Sequence, residues 1–200
     1  MIRKILSAIL LFASIYANAQ NQIFDIDVKS SSISWLGKKV TGQHDGDVQL
    51  KSGFIGLKNG KLEAGKFEID MSSITCKDIT DPAKNADLVN HLKNDDFFSV
   101  DKFPTAVLTI TRIVPKNDVA KGLPHYNCFG NLSIKGKNNA VEFPAVIEIS
   151  GKSLSAKAKF SIDRTKWDIS YKSGTVFPAL ADKAIADNIE FEVNLKGSAK

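Results

Sequence analysis

At 200 residues, 43 % hydrophobic and 24 % charged, the chain carries enough apolar material for one domain with a substantial core. Its net charge of +5 is modest and its lysines are scattered through polar positions, which argues against a nucleic-acid-binding face. No apolar run approaches the ~20 residues of a membrane-spanning helix.

The first segment, Met1 to Ala19, has a basic start (Arg3, Lys4), an apolar run from Ile5 to Ile15 and a small-residue end, Ala17-Asn18-Ala19. This is the pattern of a secretory signal peptide, cleaved near Ala19. Residues 20–200 are then expected to form a single exported domain, periplasmic or secreted. Gln20, not cysteine, would be the new terminus, so free export is expected rather than a lipid anchor. Beyond the leader only Arg112 and Arg164 are arginines. In a chain that uses lysine as its surface cation, a planar guanidinium draws notice.

From Phe24 onward the pattern alternates with period two. "FDIDV" sets Phe24, Ile26 and Val28 on one side, and "KFEIDM" does the same with Phe67, Ile69 and Met71. "DPAKNADLVNHLK" then breaks the alternation. Asp81 is placed as an N-cap, Pro82 at the first helical position, and Leu88 and Leu92 four residues apart on one stripe with His91 at its border. A helix of about three turns is predicted, ending near "KND". The following "DDFF" sets Asp95 and Asp96 in a solvated turn and leaves Phe97 and Phe98 free to cover an apolar end. Adjacent carboxylates point in different directions, which disfavours a catalytic pair. Pro104 fixes the entry to the next strand.

Alternation resumes in "AVLTI" (Ala106, Leu108, Ile110). It continues with Cys128, Leu132 and Ile134, and in "LSAKAKFSI" (Leu154, Ala156, Ala158, Phe160, Ile162). It ends with "IEFEVNL" (Ile189, Phe191, Val193, Leu195). "KNGK", "KGKNNA" and "SGKS" punctuate these strands at hairpin spacing. An antiparallel meander results. With so little helix to cover it, the sheet must form a sandwich or close on itself, and closure of about eight strands gives a barrel able to hold one small ligand. The small residues Ala64, Ala106, Ala156 and Ala158 either leave room inside or alternate with large neighbours in a packed core.

Cys76 and Cys128 would meet an oxidising compartment, so a disulfide is open, although a core of this size needs no staple. The histidines, His44, His91 and His125, stand singly, which predicts no metal site. No nucleophile elbow or phosphate-cradling loop is present. Neither an enzyme nor a cofactor is expected.

Four segments carry a family resemblance: "GFIGLKNGKLEAGKFEIDMSSI", "HLKNDDFFSVDKFPTAVLTI", "GNLSIKGKNNAVEFPAVIEI" and "FSIDRTKWDISYKSG". In this order, from about Phe24 to Gly197, they resemble the YceI-like family of exported bacterial proteins that bind polyisoprenoids and other lipids. The resemblance implies an all-β fold, an extended eight-stranded antiparallel lipocalin-like barrel with one short helix between strands, enclosing an apolar tunnel. It implies a carrier of long-chain apolar lipids: polyisoprenoid, isoprenoid quinone or fatty acyl derivatives. The alternative is a stress-protective or interaction module with a packed barrel and no ligand. The implied lining is Phe67, Ile69, Met71, Ala106, Leu108, Ile110, Leu132, Ile134, Ala158, Phe160 and Ile162, with Leu88, Leu92, Phe97 and Phe98 at one end. Trp167 and Tyr171 would face inward, and Arg164 and His44 are the candidate headgroup contacts. For Arg164 a structural pairing with Asp163 or Asp168, or a main-chain clamp, competes. The partner expected is an isoprenoid or acyl-chain lipid, with transient membrane contact and a homodimer both open. Two segments depart from the family pattern, "IVPKNDVAKGLPHYNCFG" and "DITDPAKNADLVN", and an irregular hairpin is expected in the first.

Overall fold

The computed structural model describes residues 21–199; the leader expected at Met1 to Ala19 lies outside the described residues. Nine strands form one antiparallel sheet: β1 (Gln22–Ile26), β2 (Ser32–Lys39), β3 (Gly42–Lys58), β4 (Lys61–Asp70), β5 (Thr105–Pro115), β6 (Tyr126–Ile134), β7 (Lys137–Ser150), β8 (Ser153–Asp163) and β9 (Ile185–Ala199). From β2 to β9 each strand pairs with the next, and β9 returns to β2, so eight strands close a ring. Closure removes the sheet edges that would otherwise need covering.

The ninth strand completes one slot. β2 pairs with Gly42 to Val48 of β3 and with Ile185 to Asn194 of β9, which leaves the far ends of both strands uncovered. There β1 fills in, matching Phe24 with Ile55 on one side and with Ala199 on the other. Phe24 is wholly buried as a result. The predicted inward trio of this strand loses a member: β1 stops at Ile26 and Val28 is exposed in the following turn.

The hairpins have the chemistry their residues demand. Asn59 and Gly60 both take positive φ (50° and 75°), as do Lys135 and Gly136 (51° and 72°). Two consecutive left-handed residues give the turn whose twist matches paired strands. The segment expected to be irregular is a loop of residues 116–125, preceded by a bulge where β5 and β6 shift register between Ile110 and Arg112. Glycine is required beside it, since a Cβ on Gly130 would lie 2.3 Å from the Thr109 carbonyl oxygen.

Helix α1 (Pro82–Lys93) starts as the sequence predicts. The Asp81 carboxylate accepts hydrogen bonds from the backbone N–H groups of Ala83 and Lys84 at 3.0 and 3.1 Å. Asn85 ties the helix to the preceding segment by donating to the carbonyls of Cys76 and Ile79, both at 2.9 Å. Replacing Asp81 with alanine orphans two helix donors and is expected to lower stability by about 1 kcal/mol in urea unfolding. An unchanged midpoint would show that tertiary contacts alone hold the helix.

Because strands alternate in direction, connections gather at two ends. One end carries the β2–β3 turn, the β4–β5 connection with α1, the β6–β7 turn and the β8–β9 connection. The other carries the link from β1, the Asn59-Gly60 turn, the 116–125 loop and the Gly151 turn.

Candidate functional site

A cavity of about 240 Å³ runs inside the barrel, and its walls are almost wholly carbon. Pockets for small ligands run roughly 300–1,000 Å³. This bore is somewhat smaller.

Most of the residues expected to line a tunnel face the cavity. Phe67, Ile69, Ala106, Leu108, Ile110, Leu132, Ile134, Ala158 and Phe160 all face the cavity, as does Met71 just past β4. Leu88 and Leu92 of α1 reach it from the helix end, together with Phe97 and Phe98. Three predicted residues do not face it. Ile162 is buried in the wall. Trp167 is 1 % exposed, with its indole N–H donating to the Leu132 carbonyl at 2.9 Å. Tyr171 packs edge-on against His91 and tilted against Phe97. The chain leaves strand geometry at Asp163 for a 3₁₀ turn, Arg164–Trp167, so strand alternation does not carry Trp167 and Tyr171 into the bore.

Ala64 is a further correction. Gly65 shares the parity of Phe67 and Ile69 on β4, so it rather than Ala64 faces the bore. Ala106, Ala156 and Ala158 do leave room, and Ala145, opposite Ala158, adds to it. Beside these small residues three aromatic rings narrow the passage: Phe143 stacks on Phe160 at 4.5 Å between centroids, and Phe160 meets Phe191 at 5.7 Å. Sequence reasoning missed Phe143, Ala145 and Ile147, although all three share one parity on β7.

The helix end holds most of the polar groups. Asp96 accepts from His91 Nε2 at 2.9 Å and Asp95 pairs with Lys102 at 2.7 Å, so the adjacent carboxylates serve different partners in an exposed turn. Phe97, which lines the bore, packs edge-on against His91 with centroids 5.0 Å apart.

Arg164 touches the cavity wall yet is 1 % exposed. Its guanidinium donates to the carbonyls of Ala186 (3.1 Å), Ile169 (2.6 Å) and Ile185 (3.1 Å). Asp187 Oδ1 lies 3.2 Å from Nη2, close enough for an ion pair though not aligned as a hydrogen bond. Asp187 is the charged partner. Asp168 pairs with Lys137, and Asp163 caps the turn through Thr165. The main-chain clamp is therefore the arrangement found, and few guanidinium protons remain for a headgroup.

Trp35 differs in this respect. Its ring lines the bore at the helix end, and its buried indole N–H has no hydrogen-bond partner. An unmatched buried donor costs about 1–3 kcal/mol, which an incoming acceptor would recover.

His44 also lines the cavity, and it is not single as predicted. Residues 74–78 run alongside β3, with Thr75 N–H donating to the Asp47 carbonyl (2.9 Å) and Lys77 N–H to that of Asp45 (2.8 Å). A Cβ on Gly46 would sit 1.8 Å from the Thr75 carbonyl oxygen, so only glycine permits this approach. It brings Asp78 to 2.8 Å from His44 Nδ1, and Cys76 Sγ to 3.2 Å from the same carboxylate. Burial pushes the Asp78 carboxyl up, but hydrogen bonds from His44, the Asp45 N–H and Cys76 outweigh it and hold it at about 2. Both cysteines are free thiols. Cys128 faces the cavity, and burial pushes its thiol up to about 11.

An up-and-down barrel closed around an apolar bore, with a helix across one end, defines a lipocalin-like barrel. The YceI-like domain model matches residues 24–197, and the chain belongs to that family. BcnA of Burkholderia cenocepacia is similar in structure, with a TM-score of 0.64 at 21 % identity over 86 % of this chain and 99 % of that one. A polyisoprenoid binding domain from Saccharophagus degradans gives 0.60 at 13 % identity, over 88 % and 98 % of the two chains. The YceI protein of Campylobacter jejuni gives 0.52 at 20 % identity, over 70 % and 74 %. No curated protein sequence matches the chain.

Proposed function

We propose that this protein binds a long-chain apolar lipid, isoprenoid or acyl, with its chain in the barrel bore, and carries it outside the cytoplasm. The observation that supports this best is the carbon-walled cavity inside the barrel, with Leu88, Leu92 and Phe97 at its helix end. At about 0.8 kcal/mol per buried CH₂, an eight-carbon segment gains roughly 6 kcal/mol without any polar contact. Family membership and the polyisoprenoid-binding relative from Saccharophagus degradans agree with the reading. The leader-like first segment supports export. The role is binding, not catalysis.

The headgroup lies at the helix end, where Trp35 supplies the free donor and Lys38, Lys39 and His44 border the bore. The same end meets the membrane during loading. Val40 and Phe177 are exposed there, 67 % and 50 %, and the Val40 N–H bond to the Ala184 carbonyl joins their two loops. Apolar tips beside lysines suit an anionic bilayer surface.

The test is native mass spectrometry of the mature chain purified from a bacterial host, followed by organic extraction and titration with an isoprenoid alcohol and a fatty acid. A bound species of lipid mass, or one-to-one uptake, is expected. A barrel that is always empty and takes up neither chain would overturn the reading in favour of a ligand-free interaction module.

A further inference from the structure

We propose that His44, Cys76 and Asp78 form a zinc-binding site at the rim of the barrel. One imidazole nitrogen, one thiolate sulfur and one carboxylate oxygen are donor types that zinc accepts together. Three protein ligands with the fourth position left to water is the arrangement of an open zinc site.

The donor atoms lie within 4.8 Å of one another. Tetrahedral bonds of roughly 2.0–2.3 Å place donors roughly 3.3–3.7 Å apart, so the trio needs adjustments of about 1.5 Å at most. The three residues come from two segments fixed to each other by main-chain hydrogen bonds across Gly46. Asn85 fixes the cysteine's own carbonyl from α1. The backbone frame thus exists before any ion arrives. The Asp45 N–H, 3.0 Å from Asp78 Oδ1, is the kind of outer-shell donor that orients a ligating carboxylate.

Exposure favours entry. The His44 and Asp78 side chains are 30 % and 29 % exposed, while Cys76 is buried behind them. Asp45 and Asp47 stand beside the site, and Lys77 contacts both. Lys38, opposite Gln43 on the neighbouring strand, is paired with Glu190.

The chemistry balances. Without metal, the His44 Nδ1–H and the Cys76 thiol both face the Asp78 carboxylate. On binding, the imidazole moves its proton to Nε2 and ligates through the Nδ1 lone pair, and the thiol releases one proton to solvent. Thiolate and carboxylate together neutralise the dication. The ion then staples residues 76–78 to β3 beside the bore. This inference stands whether or not the bore carries lipid.

The experiment uses the tag-free mature chain, stripped with chelator and titrated with zinc against a chromophoric competitor, then with cobalt(II) as a spectroscopic stand-in. One zinc per chain is expected, with a thiolate-to-cobalt charge-transfer band. Cys76→Ser should abolish that band. Cys76→Ser and Asp78→Asn should each weaken zinc by more than the roughly 10–100-fold that loss of an outer-shell partner costs. His125→Gln, at the other end of the barrel, should bind like the parent. Circular dichroism confirms that each variant folds. Equal zinc affinity in the parent and Cys76→Ser, or a cobalt complex without the thiolate band, would overturn the proposal.

Discussion

Replacing Arg164 with methionine is expected to cost about 3–5 kcal/mol of stability, the cost of breaking a buried ion pair by removing one partner. The guanidinium is 1 % exposed and bonds three carbonyls on two separate segments, so methionine fills the space but leaves those oxygens without their donor and Asp187 without its counter-charge. Arg112 provides the control. It lies over the Phe129 ring at 3.8 Å on an exposed part of β5, and its replacement should cost roughly 0.5–1 kcal/mol. The measurement is the urea midpoint with its slope. A loss below about 1 kcal/mol at Arg164 would show that water or rearranged backbone satisfies the carbonyls.

The same clamp has a pH signature. Burial pushes the Asp187 carboxyl up, but Thr175, Ser173 and the charge of Arg164 bring it below its ordinary value. A group depressed in the folded state contributes stability that is full above its unfolded value, about 3.9, and is lost as pH falls through the folded value. In Arg164→Met the cationic contribution disappears, so stability should fall less steeply in acid than in the parent.

Local rules reached the barrel and stopped at contacts made over distance. Period two assigned Phe67, Leu108, Leu132 and Phe160 to the interior because one residue per pleat faces a closed sheet's inside. Applied strictly from Phe67, the same rule puts Gly65 rather than Ala64 inside; it failed where the chain curled into a 3₁₀ turn before Trp167, an event with no periodicity of its own. Asp81 and Pro82 were legible because capping is a matter of adjacent residues. The meeting of His44 with Cys76 and Asp78 was not, since it depends on a segment 30 residues further on lying over Gly46. The one sequence signal was that glycine, in "HDGD", which marks a close backbone approach without saying what approaches. Arg164 was singled out by its rarity, but its carbonyl partners are Ile169 in the β8–β9 connection and Ile185 and Ala186 at the start of β9, and no local pattern describes the path that brings them together.

The bore itself offers the second large effect. Ala145 and Ala158 are cross-strand partners on its wall, close to the stacked rings of Phe143 and Phe160. Phenylalanine at position 158 would project into open space rather than into packed atoms. Ala158→Phe is therefore expected to keep stability within about 1 kcal/mol of the parent, less than the 1–3 kcal/mol that overpacking a filled core costs. Lipid binding responds differently. A ring across the passage denies the chain everything beyond it. Losing the burial of four methylenes is worth about 3 kcal/mol, a factor on the order of 100 in affinity. Ser155→Phe serves as the control, since it adds the same bulk on the opposite parity of the same strand, away from the bore. Displacement of a fluorescent polyene fatty acid, followed for isoprenoid and acyl chains of increasing length, gives the measurement. In the parent, affinity should climb with each added methylene until the bore is full; in Ala158→Phe the climb should stop several carbons sooner. Parallel length series in parent and variant would place the chain somewhere other than the barrel interior.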